Sequence, residues 1–226
     1  MAFARSEDFK TPVARVSFAQ NLFKARKQGT DANSKEKFGC TLIFPKTALT
    51  EKTCQLPDGR KVSLQDIIAG VIVEQWGEKG LEKAKAGLIK SPFLAGDGKE
   101  ARNKESGDLH PGMGSDVFFI RTQANADRAP KVFSSATATI PATQEDVYSG
   151  CYGFAVLNAF SWNNAQNGDG VSFGINMFFK KADGEKIGGS GGSDPEKWAE
   201  TVEDTGGAPA ETKTGAGAGG LFGAMG

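Results

Sequence analysis

The sequence predicts a mainly β fold with inserted helices: an OB-fold-like antiparallel barrel followed by a disordered, acidic and Gly-rich C-terminal tail. Three observations favour this fold class. Several short segments alternate between apolar and polar residues, a helical stretch interrupts them, and the composition changes abruptly near residue 189. Because 226 residues can bury one sizeable core, we expect a barrel domain over residues 1–189 and a tail over residues 190–226.

The first two predicted strands are VARVSF, Val13 to Phe18, and FGCTLIFP, Phe38 to Pro45. The polar stretch LFKARKQGTDANSKEK separates them, which predicts a hairpin with a long charged loop and a free tip. Its basic side chains are candidates for contacts with an anionic partner. They are Lys24, Arg26, Lys27, Lys35 and Lys37.

A helical insertion is predicted over about residues 63–89. LPDGR is a turn by its Pro-Asp-Gly chemistry, and Ser63 with Asp66 three residues later has the spacing of a capping box. The apolar residues that follow keep the spacing of one helical face. Trp76 ends this stripe, so we interpret it as a core residue rather than a ligand contact. A second helix is expected between Gly77 and Leu88.

Further strands are predicted after a loop rich in Gly, Pro and charge at Lys90 to Ser115. They are DVFFIRTQ from Asp116 and KVF from Lys131, followed by a long hairpin. That hairpin pairs GCYGFAVLNAFSWN, which begins at Gly150, with GVSFGINMFFKK, which begins at Gly170. Five or more antiparallel strands with an inserted helix are typical of a small closed barrel, including the OB type.

The first strand of this hairpin has two unlike faces, since side chains alternate along a strand. The large face is Tyr152, Phe154, Val156, Asn158, Phe160 and Trp162, and the opposite face is Cys151, Gly153, Ala155, Leu157, Ala159 and Ser161. Alternation alone leaves open whether the large face fills the core or binds a partner. Small apolar residues suit a narrow barrel interior, and Asn158 would be awkward to bury unpaired, so we expect the large face to point outward. A bulge could still switch the faces partway.

The formal net charge of zero conceals an uneven distribution of charge. The first 46 residues carry nine basic and four acidic side chains, a net charge of +5. From Asp194 onward there are six acids and two lysines, so the tail carries −4 and the rest of the chain +4. A basic body joined to an acidic tail indicates a surface for a polyanion with a competitor in the same chain.

Few residue types suited to catalysis or metal binding are present. His110 is the only histidine, and Cys40, Cys54 and Cys151 form no CxxC pair. We therefore expect no cofactor, no metal site and no enzyme activity, although an enzyme with an unrecognised acid-based site remains a third hypothesis. No segment resembles a signal peptide or reaches the ~20 apolar residues of a membrane span, so we expect no membrane partner.

Single-stranded nucleic acid requires cations for its phosphates and aromatic faces for its unstacked bases. This chain offers both. The candidate DNA-binding residues are Lys24, Arg26, Lys27, Lys35, Lys37, Arg121, Lys131, Tyr152, Phe154, Asn158, Phe160 and Trp162. The alternative is a non-catalytic scaffold barrel whose aromatic face is core or a protein–protein interface.

Several stretches together resemble the phage-encoded single-stranded DNA-binding proteins of the OB-fold type. They are LIFPK from Leu42, LIKSPFLAGD from Leu88, YSGCYGFAVLNAFSW from Tyr148, GVSFGINMFFKKADGEKIGG from Gly170, and the acidic tail. The resemblance implies a protein that coats single-stranded DNA during phage replication or recombination in the cytoplasm of the bacterial host. It also implies a tail that recruits replication or recombination proteins and competes with DNA. We expect a homodimer or a cooperative array.

Overall fold

The computed structural model describes residues 3–27 and 34–187 of the chain. Within these ranges it has thirteen β-strands and two α-helices. The strands are β1 (Phe9–Lys10), β2 (Ala14–Ser17), β3 (Arg26–Lys27), β4 (Glu36–Phe38), β5 (Thr41–Pro45), β6 (Cys54–Gln55), β7 (Lys61–Val62), β8 (Ile89–Lys90), β9 (Leu94–Ala95), β10 (Val117–Asn125), β11 (Lys131–Phe133), β12 (Tyr152–Asn164) and β13 (Gly168–Ala182). The helices are α1 (Leu64–Trp76) and α2 (Lys79–Lys85).

Five of these strands close into a ring. β5 pairs with β2 on one side and with β10 on the other, and β13 joins β10 to β12. β12 returns to β2 through the pair Tyr152 and Arg15. The contact of β10 with β13 is parallel and the other four are antiparallel. The mainly β, OB-like barrel with inserted helices is therefore confirmed.

The barrel interior is filled by the small face of β12. Gly153, Ala155, Leu157, Ala159 and Ser161 are all buried. Two register shifts interrupt the β12–β13 hairpin, and in both of them the additional residue lies on β13. β12 therefore keeps its alternation without the switch of faces that a bulge could have caused.

Helix α1 packs its apolar stripe into the same core cluster as the barrel interior. The predicted capping box is present: the Ser63 hydroxyl accepts from the Asp66 amide, and the Asp66 carboxylate accepts from the Ser63 amide. Trp76 is half-buried and packs against the core, as the sequence indicates. Helix α2 follows closely, because Gly80 lies against Ile72 and Trp76 where a side chain would not fit.

The N-terminal segment forms pairings that the sequence analysis did not predict. β1 pairs with the middle of β12, and Ser6 and Ala4 exchange backbone hydrogen bonds with its later part. The Gln75 side chain of α1 accepts from the Ala4 amide at 2.7 Å and from the Ser161 hydroxyl at 2.8 Å. This edge of β12 is therefore covered by the chain's own first residues.

Three predicted segments differ from the structure in detail. The predicted strand Phe38 to Pro45 divides at Gly39, whose φ of 157° and close approach to the Thr122 carbonyl exclude a side chain. The charged loop before it includes a short ribbon, in which β3 pairs with β4 and β4 continues onto β10. The predicted loop Lys90 to Ser115 contains β9, which pairs with β10. Ala101 from this loop packs on the outer side chain of Phe119.

Candidate nucleic-acid interface

Four of the predicted cations line one cleft of about 620 Å³ on the outer side of β10. We call it the basic cleft; among its lining residues are Phe18, Arg26, Lys27, Lys37, His110 and Arg121. Glu100 contributes an acidic side chain to the lining of the cleft. Strands 2 and 3 of an OB barrel, which correspond to β5 and β10 here, form the face that such barrels use for oligonucleotides. The cleft lies on that face, because Thr41 and Arg121 belong to its lining.

The pairing of β3 with β4, and of β4 with β10, fixes the positions of these cations relative to one another. Arg26 lies opposite Lys37, and Lys37 lies opposite Asn125 of β10. The Lys37 ammonium donates a hydrogen bond of 2.5 Å to the Gln123 side chain. Burial lowers the pKa of Lys37, and the nearby charge of Lys35 lowers it further. Arg26, Lys27 and Lys37 together place several cationic side chains at this wall of the cleft, which favours an anion.

Phe18 and His110, which form an aromatic pair in the lining of the basic cleft, were not among the predicted site residues. Phe18 has the left-handed backbone conformation, with φ of 56°, although it is not a glycine. The residue is 40% exposed, and its ring stands edge-on to the His110 ring, with centroids 5.7 Å apart. Left-handed φ in a bulky residue is rare and concentrates at functional sites. No local sequence pattern predicts this pair, because Phe18 and His110 are far apart along the chain.

A second cleft of about 330 Å³ adjoins the first. We call it the amide pocket; its lining includes Arg5, Lys37, Arg128, Asn158, Phe160 and Gly174. Lys37 and Gln123 line both clefts, so one hydrogen-bonded pair forms their common wall. The cations of the ribbon therefore lead directly to the outer face of β12.

Trp162 also lies beside these clefts. Its indole packs flat on Gly170, where a Cβ atom would overlap the ring, and its Nε1 donates to the Ser172 hydroxyl at 2.9 Å. Ser172 lines the basic cleft. The indole is half-buried, so one face is occupied by the protein and its edge is fixed by a hydrogen bond.

Burial corrects the expectation that the large face of β12 is open throughout. Phe154 is only 8% exposed, because the Phe179 ring stacks on it at 5.1 Å and the Lys10 ammonium lies 4.1 Å from its centroid. Asn158 is 1% exposed, and neither atom of its amide has a hydrogen-bond partner among the described residues. Thus the face does point away from the barrel interior, but its neighbours cover these two side chains.

Six predicted residues lie outside the lining of both clefts, and two of them, Phe154 and Trp162, are described above. Lys24 and Lys35 are exposed near the ribbon, and Lys131 is exposed on β11, which pairs with a later part of β13 than β10 does. Tyr152 begins β12, at the opposite end from Trp162, and is 38% exposed beside Arg15. The structure therefore brings together Arg26, Lys27, Lys37, Arg121, Asn158 and Phe160, with Trp162 adjacent.

Neither a candidate metal site nor a membrane-spanning helix occurs within residues 3–27 and 34–187. In these ranges no group of three or more His, Cys, Asp or Glu side chains could hold a metal ion. No helix in the same part of the chain is long and apolar enough to cross a membrane. The predicted tail, residues 190–226, lies outside the described residues.

Comparison with known proteins agrees with this geometry. The family model described as "Enterobacter phage Enc34, ssDNA-binding protein" matches residues 8–206. The p50 protein of Acyrthosiphon pisum secondary endosymbiont phage 1 is 30% identical over 145 residues, which are 60% of this chain and 70% of that protein.

Two solved structures are also similar. The single-stranded DNA-binding protein of bacteriophage Enc34 superposes with a TM-score of 0.51 at 14% identity, over 88% of this chain and 100% of that one. Protein gp2.5 of bacteriophage T7, a single-stranded DNA-binding protein, gives a TM-score of 0.44 at 13% identity, over 92% and 100% of the two chains. The first likeness supports the fold, and the family match extends over most of the chain. This chain belongs to the family of the Enterobacter phage Enc34 ssDNA-binding protein.

Proposed function

We propose that this protein binds single-stranded DNA with little dependence on sequence, along the basic cleft and the amide pocket. One observation carries the proposal. Arg26, Lys27, Lys37 and Arg121 line a single cleft that adjoins, through Lys37, a pocket containing Phe160. Cations in one groove with an aromatic ring beside them are what a single strand requires. Family membership supports the same function.

The two parts of the site have different tasks. The side chains of Arg26, Lys27, Lys37 and Arg121 neutralise phosphates and release condensed counterions, which drives binding without reading sequence. Phe160 and Trp162 lie further along, on the outer face of β12, where an unstacked base can contact an aromatic edge or face. Each stacked base contributes about 1–3 kcal/mol. Affinity should therefore combine steep salt dependence with sensitivity to aromatic substitutions.

In the cell this activity coats and protects single-stranded DNA during phage replication and recombination, in the cytoplasm of the bacterial host. The protein acts by binding rather than by catalysis, as a homodimer or a cooperative array. The acidic stretch from Asp194 onward competes with DNA for the basic cleft and recruits replication or recombination proteins. Its net charge of −4 beside a body of +4 supports this role.

Fluorescence anisotropy with a labelled oligothymidine strand tests the proposed function. Unlabelled single strand should displace the probe at much lower concentration than duplex of the same length. A Phe160→Leu, Trp162→Leu double variant that stays folded should bind more weakly, because it keeps apolar contacts but loses stacking. Absence of binding by the wild type at low salt would refute the proposal and favour the scaffold alternative.

A further inference from the structure

The Asn158 amide is a buried polar group whose hydrogen bonds are not satisfied by the protein. Both its nitrogen and its oxygen lack partners among the described residues, and the side chain is 1% exposed. Such groups are rare in folded proteins, and each calls for an explanation. Asn158 lies on the outer face of β12 and lines the amide pocket, so a ligand in that pocket can supply the missing partners.

The opposite strand keeps the space over this amide open. Asn158 pairs across the ladder with Gly174 of β13. A Cβ atom at Gly174 would lie 2.7 Å from the amide oxygen, which is too close, and 3.2 Å from the amide nitrogen, which is a tight contact. Any larger residue at 174 would therefore displace the amide. Phe160 lies two residues along the same face, so an aromatic ring and an unpaired amide line one pocket.

The chemistry of the pocket defines its ligand. A carboxamide presents one acceptor and one donor group side by side, so the ligand must present the complementary pair. Phe160 favours a flat, unsaturated group. Arg5, Arg128 and Lys37 also line the pocket, with Asp127 as an acid, so an anionic group can be bound next to the flat one. A nucleotide combines all three features.

We propose that Asn158 hydrogen-bonds the Watson–Crick edge of an unpaired nucleobase held in the amide pocket. This inference rests on the proposed function and adds a mechanism for strand selectivity. Every base presents a donor next to an acceptor on that edge, and rotating the amide by a half-turn exchanges its own donor and acceptor. One asparagine can thus hold any of the four bases. A base already paired in a duplex has no free Watson–Crick edge, so this subsite selects single strands without selecting sequence.

Oligothymidine and its N3-methyl analogue test the contact directly. The methyl group removes the N3–H donor of each base but leaves the phosphates and the ring face available. Wild-type protein should bind the methylated strand about tenfold more weakly, the value of one good two-point base contact. The Asn158→Leu variant should bind both strands equally well, since it lacks the amide. Asn163→Leu, an exposed position on the same strand, is the matched control and should behave like the wild type.

The outcomes separate this inference from the function on which it rests. An equal methylation penalty in wild type and Asn158→Leu, or no penalty in the wild type, would refute the contact while leaving salt-sensitive DNA binding intact. Failure of the wild type to bind unmethylated oligothymidine would refute both. If Asn158→Leu does not fold, Gly174→Ala provides the same test, because its Cβ atom displaces the amide. Retention of the full methylation penalty in Gly174→Ala would then contradict the inference.

Discussion

Glu100 holds Arg121 by two contacts in the basic cleft. Arg121 Nη1 lies 3.1 Å from the Glu100 carboxylate, and Nη2 donates to the Glu100 backbone carbonyl at 3.0 Å. Both side chains are exposed, so the pair contributes little to stability. Its effect concerns ligand binding instead, because a phosphate that approaches Arg121 must compete with the carboxylate.

Glu100→Gln should therefore tighten binding of single-stranded DNA at low salt by about 0.2–1 kcal/mol, the usual range for one exposed ion pair. Arg121→Gln should weaken it. Glu82→Gln on α2 makes the same change in net charge at an exposed position outside both clefts. Anisotropy titrations of the three variants provide the comparison. Equal tightening by Glu100→Gln and Glu82→Gln would mean that only net charge matters.

The lowered pKa of Lys37 predicts a pH effect on binding. In the free protein its ammonium loses its proton at a lower pH than an ordinary lysine, since burial and Lys35 both oppose the charge. A bound phosphate stabilises the charged form, so binding takes up a proton as the pH rises toward that pKa, and affinity falls. The arginine in Lys37→Arg stays charged throughout, so this variant should show a smaller fall in DNA affinity between pH about 7 and about 10. An unchanged pH profile in this variant would contradict a phosphate contact at Lys37.

The cysteines should be unreactive in the folded protein. Burial raises the pKa of Cys40 and of Cys54 to about 12 in each case, and it also raises the pKa of Cys151. The thiolate is the reactive form, so at pH about 8 an aromatic disulfide reagent should label these thiols only after unfolding. These pKa values are higher in the folded protein than in the unfolded chain. The free energy of unfolding is therefore retained in full below the unfolded pKa and falls as the pH rises from the unfolded toward the folded pKa. Rapid labelling of the native protein would contradict this burial.

Two glycines should respond oppositely to alanine. Gly170→Ala places a Cβ atom where the Trp162 ring lies. It should therefore break the hydrogen bond from the Trp162 indole to Ser172 and lower the free energy of unfolding by about 1–3 kcal/mol. Gly70 lies inside α1, with no heavy atom within 4 Å of an added Cβ atom. Gly70→Ala should therefore raise the free energy of unfolding by about 0.5–1 kcal/mol. Denaturant titrations give both values, and the tryptophan emission maximum of the folded protein should move to the red only in Gly170→Ala, as Trp162 becomes exposed. Similar stability changes in the two variants would contradict the packing of Trp162 on Gly170.

Local patterns were sufficient for much of the fold. The capping box of Ser63 and Asp66 is a contact over three residues, and the small face of β12 follows from alternation alone. These features depend on neighbours in sequence. The number of strands and the helical insertion indicated the type of barrel, but not the parallel pairing of β10 with β13.

The state of the outer face could not be predicted in the same way. Phe154 is covered by Lys10 of β1 and Phe179 of β13, and no periodicity in β12 contains that information. Phe18 and His110 meet because the loop after β9 folds over β10. The sequence predicts the cations only as a group, and three-dimensional packing is needed to distinguish Lys37, within the cleft, from Lys131, outside it.

The central claim is that single-stranded DNA binds in the basic cleft, and the salt dependence of oligothymidine affinity tests it most directly. One triple variant removes cleft cations (Arg26→Gln, Lys37→Gln, Arg121→Gln), and a control removes three exposed lysines elsewhere (Lys61→Gln, Lys79→Gln, Lys83→Gln). Both lose the same formal charge. The cleft variant should bind far more weakly, and the slope of log affinity against log salt should become shallower by about 2, because three phosphate contacts are lost. The control should keep nearly the wild-type slope. Equal losses of affinity and slope in the two variants would contradict the assignment of the cleft.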